Sequence, residues 1–260
     1  MIELEADQFD RVSPIVSGLR RFVHLNAVIN RDNAGRVFVD HAENPALVLI
    51  WTRWGYFYLA GHAHDDRVTE SLRVLLSQTL IPDSVAGGER DLALIPYLGS
   101  WESRLDSVLE DKELIKLFRR AFVFNPSSPD KRRGAAYRLP VGFCLKRIDE
   151  ELAAQMGGIL LTWDSIADFL DRGFGFCVLY NKVIVSECFT AFVSDGCVEI
   201  SVSTAPSYRR QGLALLVAET FIGHCLDNDL TPNWECWWDN VPSCACLLYT
   251  SDAADESSRV

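Results

Sequence analysis

Six residues, Arg209, Arg210, Gln211, Gly212, Leu213 and Ala214, stand where a β-branched run over 199–204 gives way to a stretch whose apolar residues recur at helical spacing. A helix that begins at Leu213 leaves several backbone N–H groups without partners at the positive end of its dipole, and such a place suits a diphosphate. Arg209 and Arg210 add positive charge there. Gly212 has no Cβ, so phosphate oxygens can come close to the main chain, and the small Ala214 keeps the first helical turn open. The chemistry these residues support is the holding of a phosphorylated ligand at a strand-to-helix turn.

The elements that must position this turn follow from periodicity. Pro206 closes a strand over 197–204, and Leu213, Leu216, Val217, Phe221 and Cys225 share one face of a helix over 213–227 that ends at Asn228 and Asp229. Before it, segments 174–180, 183–193 and 197–204 read as a meander turned at Asn181-Lys182 and Asp195-Gly196. A strand within 136–145 and helices over 148–156 and 163–172 precede the meander, and a strand over 234–238 follows the long helix. Residues 125–134 combine turn formers and charge without apolar periodicity, which marks a linker. Ahead of that linker the pattern predicts a helix over 9–26, strands over 36–39, 46–52 and 56–60, a helix over 65–80, a strand over 92–96 and two short helices. Trp51, Trp54, Tyr56, Phe57 and Tyr58 read better as the packing of a hairpin turned at Arg53-Trp54-Gly55 than as the lining of a substrate cleft. No internal repeat is visible in the residues.

At the glycine turn the chain resembles the Gcn5-related N-acetyltransferase (GNAT) superfamily, whose pyrophosphate loop carries Arg/Gln-x-x-Gly-x-Gly/Ala between its fourth strand and third helix. Arg209, Gly212 and Ala214 match that pattern. Segment 233–238 followed by Asn240 is similar to the family's fifth strand and the Asn after it. Leu139 to Phe143, Ile148-Asp149, Trp163, Phe169-Leu170 and Gly173 to Cys177 resemble a bacterial subgroup that includes a zwittermicin A resistance type. The resemblance covers residues 136–245. It implies an α/β fold: an N-terminal α/β domain over 1–124, open to being a diverged GNAT-like copy, then a linker over 125–135, then a GNAT core over 136–245 with a mixed, mostly antiparallel sheet flanked by helices.

The same resemblance implies acetyl-CoA as co-substrate and the amine of a small molecule, a metabolite or an antibiotic, as acceptor. Arg209, Arg210, Gln211, Gly212, Leu213 and Ala214 would hold the pyrophosphate, Val202, Ser203 and Thr204 would align the pantetheine and thioester, and Asn240 would touch the coenzyme. An ammonium must lose a proton before it attacks a thioester, which calls for a base. Glu199 is the first candidate and Glu187 on the neighbouring strand the second; a merely solvated or structural carboxylate stays open, because strand parity is not fixed by sequence. The alternative function is an acetyl-CoA-sensing or ligand-binding module without transferase activity. Residues 246–256 resemble the conceptual translation of a sequencing-library adapter. The family's helix and strands after Asn240 are accordingly expected to be missing, 246–260 to add no structure, and the thiolate's proton donor, often a Tyr on that helix, is left unassigned.

His62-x-His64-x-Asp66 resembles the opening of a metallo-β-lactamase-type metal site, but such a site continues with His where Arg67 stands, and His224 is the only histidine downstream. No metal is expected. The 260 residues, 48% hydrophobic and 23% charged, suffice for two α/β units. The formal charge is −11, or −9 once Asp252, Asp255 and Glu256 are set against Arg259 and removed. That balance disfavours binding to nucleic-acid phosphates and mildly suits cationic amines, although an acidic surface is more often a solubility device. Eight cysteines without a Cys-x-x-Cys pair point to reduced thiols and a cytoplasmic setting, and the absence of an apolar run of ~18 residues speaks against membrane insertion.

Overall fold

Three N-terminal strands are apolar on both faces, and a sheet so built must be covered by helices on both sides. A computed structural model, which describes residues 1–19, 22–62, 65–86, 92–97, 101–110, 112, 114–123, 139–250 and 254–256, shows that arrangement in the first of two units, Met1–Lys116. Its order is β1 (Ile2–Glu3), α1 (Ser13–Val16), α2 (Val23–Ile29), β2 (Gly35–Val39), β3 (Leu47–Thr52), β4 (Tyr56–Gly61), α3 (Asp66–Leu75), α4 (Ile81–Ala86), β5 (Ala93–Tyr97) and α5 (Trp101–Val108). The sheet order is β1-β2-β3-β4-β5, antiparallel except for the parallel pair β4 and β5. Val37, Val39, Val48, Ile50 and Tyr58 face one core with residues of α1 and α2, while Phe38, Leu47, Leu49, Phe57 and Leu59 face the other with Leu72, Leu76 and Trp101. The aromatic residues Phe57 and Tyr58 are thus core of this unit, whereas Trp54 is exposed at the turn. The single helix predicted over 9–26 is instead a series of short 3-10 and α segments. Pro14 lacks an N–H and Gly18 is a weak helix former, so a continuous helix is not sustained.

The second unit, Leu117–Arg259, contains β6 (Arg119–Val123), β7 (Phe143–Arg147), α6 (Glu150–Ala153), α7 (Ile159–Thr162), α8 (Ile166–Arg172), β8 (Gly175–Tyr180), β9 (Val183–Ser194), β10 (Cys197–Thr204), α9 (Leu213–Asp227), β11 (Thr231–Trp237), α10 (Val241–Thr250) and β12 (Ala254–Glu256). Its sheet runs β12-β6-β11-β10-β9-β8-β7, with β10 and β11 the parallel pair. The turns at Asn181-Lys182 and Asp195-Gly196 have positive φ at both positions, the geometry that matches strand twist in a two-residue hairpin. Asp149 and Ser165 cap α6 and α8 through Leu152 N and Asp168 N. One face of the sheet packs Val198, Ile200 and Trp234 against Val217 and Phe221 of α9, and the other packs Cys177 and Phe189 against Ile159 and Phe169.

Two features depart from the sequence reading. Segment 119–123 pairs with β11, from Asn233↔Val123 to Trp237↔Arg119, and so lies in the second sheet although it precedes the expected linker, all of which is outside the described residues. A strand that opens with two arginines carries no sequence mark of its partner. Helix α10 is present where a missing helix was expected, and the pairing of β12 with β6 follows within the segment expected to be structureless. Cys244 of α10 is buried in the core beside Cys236 and Trp234, and Cys246, the first residue of the expected tail, packs against the same core, an apolar gain that the tail's resemblance to an adapter did not reveal. The path β2-β3-β4-α3-β5 also repeats as β8-β9-β10-α9-β11: a meander, a crossover helix and a parallel strand. The two copies share topology without a visible residue repeat.

Candidate active site

Parallel pairing of β10 with β11 spans only Cys197↔Thr231, Val198↔Pro232 and Glu199↔Asn233, although β10 runs on to Thr204. On its other side β10 stays paired with β9 as far as Thr204↔Ser186, with a register shift between Glu199 and Ile200. Beyond Glu199 the two parallel strands therefore part, and backbone groups of residues 200–204 on the β11 side face a gap. An extended chain could be received there by main-chain hydrogen bonds. Val202, Ser203 and Thr204 lie along this edge.

The gap leads to the turn before α9. Gly212 stands at the helix N-cap with φ 77°, a left-handed conformation that glycine adopts without penalty. No side chain caps α9 and no acidic residue occupies its first turn, so its leading N–H groups remain directed at the turn. The Arg209 guanidinium donates through Nε to Thr204 O at 3.1 Å and ties the turn to the strand end, while Arg210, also at positive φ, and Gln211 are exposed. Tyr208 packs against Phe143 and Tyr180 at ring separations of 6.0 and 5.8 Å, which steadies the approach to the turn. Leu213 is 2% exposed in the core, so only its N–H is available to a ligand. Ala214 follows in the first turn.

Asn240 is exposed after β11, and its Oδ1 accepts from Ser243 N at 3.2 Å, capping the start of α10. The carboxyl of Glu199 is buried. Its two oxygens accept from the Asn233 side-chain amide and, at 3.2 Å, from Glu235 N. Glu235 in turn pairs with the Arg119 guanidinium at 3.2 Å. Burial and the neighbouring Glu235 carboxylate push Glu199 well above the usual carboxylate range, against the pull of Asn233 and Arg119. Burial likewise raises Glu187, whose Oε1 accepts from the Ser203 hydroxyl at 3.2 Å. A carboxyl with raised proton affinity beside a strand gap is a stronger base than an exposed one.

The structure brings Glu199, the β10 edge and the glycine turn onto one strand-turn-helix unit, and places Asn240 beyond the adjacent strand. Sequence reasoning missed Asn233, Glu235 and Arg119. Alternation along β11 puts Asn233 and Glu235 on one face, but the register with Glu199 and the arrival of Arg119 from 80 positions away in sequence are long-range facts. His64 of the histidine motif lies outside the described residues, and Asp65 and Asp66 serve α3 as its N-cap and first residue. Among the described residues there is no group of three or more candidate metal ligands, and no helix is long and apolar enough to cross a membrane.

Comparison with known proteins bears on the same fold. The family profile of GNAT acetyltransferases matches residues 15–247, spanning most of both units. An uncharacterized N-acetyltransferase, YdfB of Bacillus subtilis (strain 168), is 30% identical over 215 residues, covering 81% of this chain and 78% of that protein. A GCN5-related N-acetyltransferase-like protein from Streptococcus suis has a similar solved structure, with a TM-score of 0.73 at 21% identity over 97% of this chain and 96% of that one. A tandem GNAT protein from the clavulanic acid biosynthesis pathway gives a TM-score of 0.53 at 10% identity, covering 95% of this chain and 93% of its own. With a profile match across most of its length, a relative at this level of identity and a sheet whose parallel strands part beside an uncapped helix, the chain belongs to the GNAT acetyltransferase family.

Proposed function

We propose that the protein transfers the acetyl group of acetyl-CoA to the amine of a small molecule by direct attack on the thioester, at a single coenzyme site in the second unit. The observation that carries this reading is the parting of β10 from β11 immediately beside the uncapped, left-handed start of α9. An extended pantetheine arm fits the gap, and the diphosphate fits the N–H groups, with Arg209, Arg210, Gln211, Gly212, Leu213 and Ala214 around it. Acetyl-CoA supplies the activated acyl group. Residues Val202, Ser203 and Thr204 orient it through the open strand edge, Asn240 contacts the coenzyme from beyond β11, and Glu199 takes the amine proton directly or through water.

The acidic composition, with a formal charge of −11, favours an ammonium-bearing metabolite or antibiotic over an anionic acceptor. All eight cysteines are free thiols, consistent with the cytoplasm. The first unit is a diverged copy of the same core whose own crossover no longer receives coenzyme.

Titration calorimetry with acetyl-CoA, followed by thiol release in the presence of a panel of primary amines, polyamines and aminoglycosides, tests the proposal. Binding together with amine-dependent release is the expected result. Saturable binding with no release above the hydrolysis background for any amine would instead identify a coenzyme-sensing module.

A further inference from the structure

We propose that Arg119 and Glu235 are positioning residues that orient the Glu199 carboxyl and set its affinity for the proton it takes from the acceptor amine. This rests on the reading of Glu199 as the base. The geometry is a chain of side chains across three adjacent strands of the second unit: Glu199 on β10, Asn233 and Glu235 on β11, Arg119 on β6. Glu199 is 3% exposed, and the side chains of Arg119 and Glu235 are 8% and 3% exposed, so bulk water does not screen their interaction.

Both Glu199 oxygens are held from β11, one by the Asn233 amide and one by Glu235 N at 3.2 Å. That fixes the plane of the carboxyl at the last residue where β10 and β11 still pair, one step before the gap. The Glu235 carboxylate is held by Arg119 Nε at 3.2 Å, and the guanidinium lies over the Trp237 ring at 4.9 Å, which leaves it little freedom to swing away. Two carboxyls and one guanidinium in a dry space balance in charge when the pair carries one proton. A proton gained by Glu199 from an ammonium therefore brings the cluster to neutrality, with no other bond made or broken.

Among the described residues, the charged groups that shift Glu199 are Glu235 and Arg119. From β11 come the Glu235 carboxylate and the uncharged Asn233 amide that donates to Glu199, and from β6 the Arg119 guanidinium, which also acts on the buried Cys236 thiol of β11. From β9 the residue across the register is Phe192, which carries no charge. Removing the Glu235 charge should therefore lower the proton affinity of Glu199, and removing Arg119 should raise it. A purely structural cross-link between strands would change stability in both variants without moving the titration in opposite directions.

Infrared difference spectroscopy of the whole protein across a pH titration reads this without any acceptor, through the carboxylic acid band of a buried protonated glutamate. The wild-type band is expected to contain a component that titrates above the ordinary carboxylate range and is lost in Glu199→Gln, with the Glu187 component left behind. In Glu235→Gln, a near-isosteric change, the midpoint should fall; in Arg119→Met it should rise by about one pH unit or more. Should Arg119→Met not fold, Arg119→Lys, which keeps the charge but loses the planar fork, should show a smaller rise. Midpoints that stay at the wild-type value in Glu235→Gln and in the folded Arg119 variant would overturn the proposal. Failure of the base reading looks different: Glu199→Gln would then leave amine-dependent thiol release unchanged while the infrared midpoints still moved.

Discussion

Glu187 and Glu199 lie on neighbouring antiparallel strands, and both are raised by burial, yet only Glu199 sits among charged partners. Glu187 is held by a single hydroxyl, that of Ser203. A carboxyl whose folded-state pKa lies above its unfolded value favours the fold while protonated, and that contribution is lost as pH rises through the folded pKa. Above the folded pKa the ionised Glu187 is therefore a cost. Glu187→Gln should raise the Tm at pH 7 to 8, and the gain should shrink toward zero near pH 4, where both proteins are neutral at this position. A scanning-calorimetry series that shows the same Tm difference at both ends of this range would refute the burial argument. Arg119 presents the opposite case. Replacing it by Met leaves Glu235 buried without its cation, and breaking such a pair costs about 3–5 kcal/mol, readable by urea denaturation.

At the scale of elements, the two crossover helices make a comparison within one chain. In α3 the Asp65 carboxylate accepts from Arg67 N and Val68 N at 2.9 and 3.0 Å, and Asp66 adds negative charge in the first turn. In α9 the corresponding place holds Gly212, with no cap and no acid. One helix start is filled by its own side chain and the other has no side-chain cap. This contrast suggests Gly212→Asn and Gly212→Asp, since both residues tolerate the left-handed conformation while adding a Cβ where, on the proposed function, phosphate approaches. Acetyl-CoA affinity should fall at least about tenfold in the Asn variant and further in the Asp variant, with the difference between the two narrowing at high salt. Calorimetric affinities equal to wild type in folded variants would remove the turn from the site. This turn was legible in the sequence because every signal for it is local: the β-branched run, Pro206, the glycine and the helical face of Leu213, Val217 and Phe221. The hairpins at Asn181-Lys182 and Asp195-Gly196 were legible for the same reason. What stayed hidden depends on register between distant segments, as with β6 beside β11, Arg119 paired with Glu235, and α10 burying Cys244 against Cys236.

For the whole molecule, the repeated path raises the question of how many coenzymes one chain holds. The second copy parts its parallel strands after three paired positions, whereas in the first copy β4 and β5 stay paired through five, from Tyr56↔Ala93 to Ala60↔Tyr97. Main-chain groups that bond each other along the whole length of β5 are not free to receive an extended ligand, and Asp65 fills the N–H groups where a diphosphate would rest. On the proposed function, these two independent features close the first copy to coenzyme. Calorimetry should return one acetyl-CoA per chain. Hydrogen exchange with saturating acetyl-CoA should slow amides at the first turn of α9 and along residues 200–204, while the first turn of α3 and the β4–β5 pair exchange at their ligand-free rates. A stoichiometry of two, or ligand protection at Arg67 and Val68 matching that at the start of α9, would show that the first copy retains a working site and that its cap yields to the coenzyme.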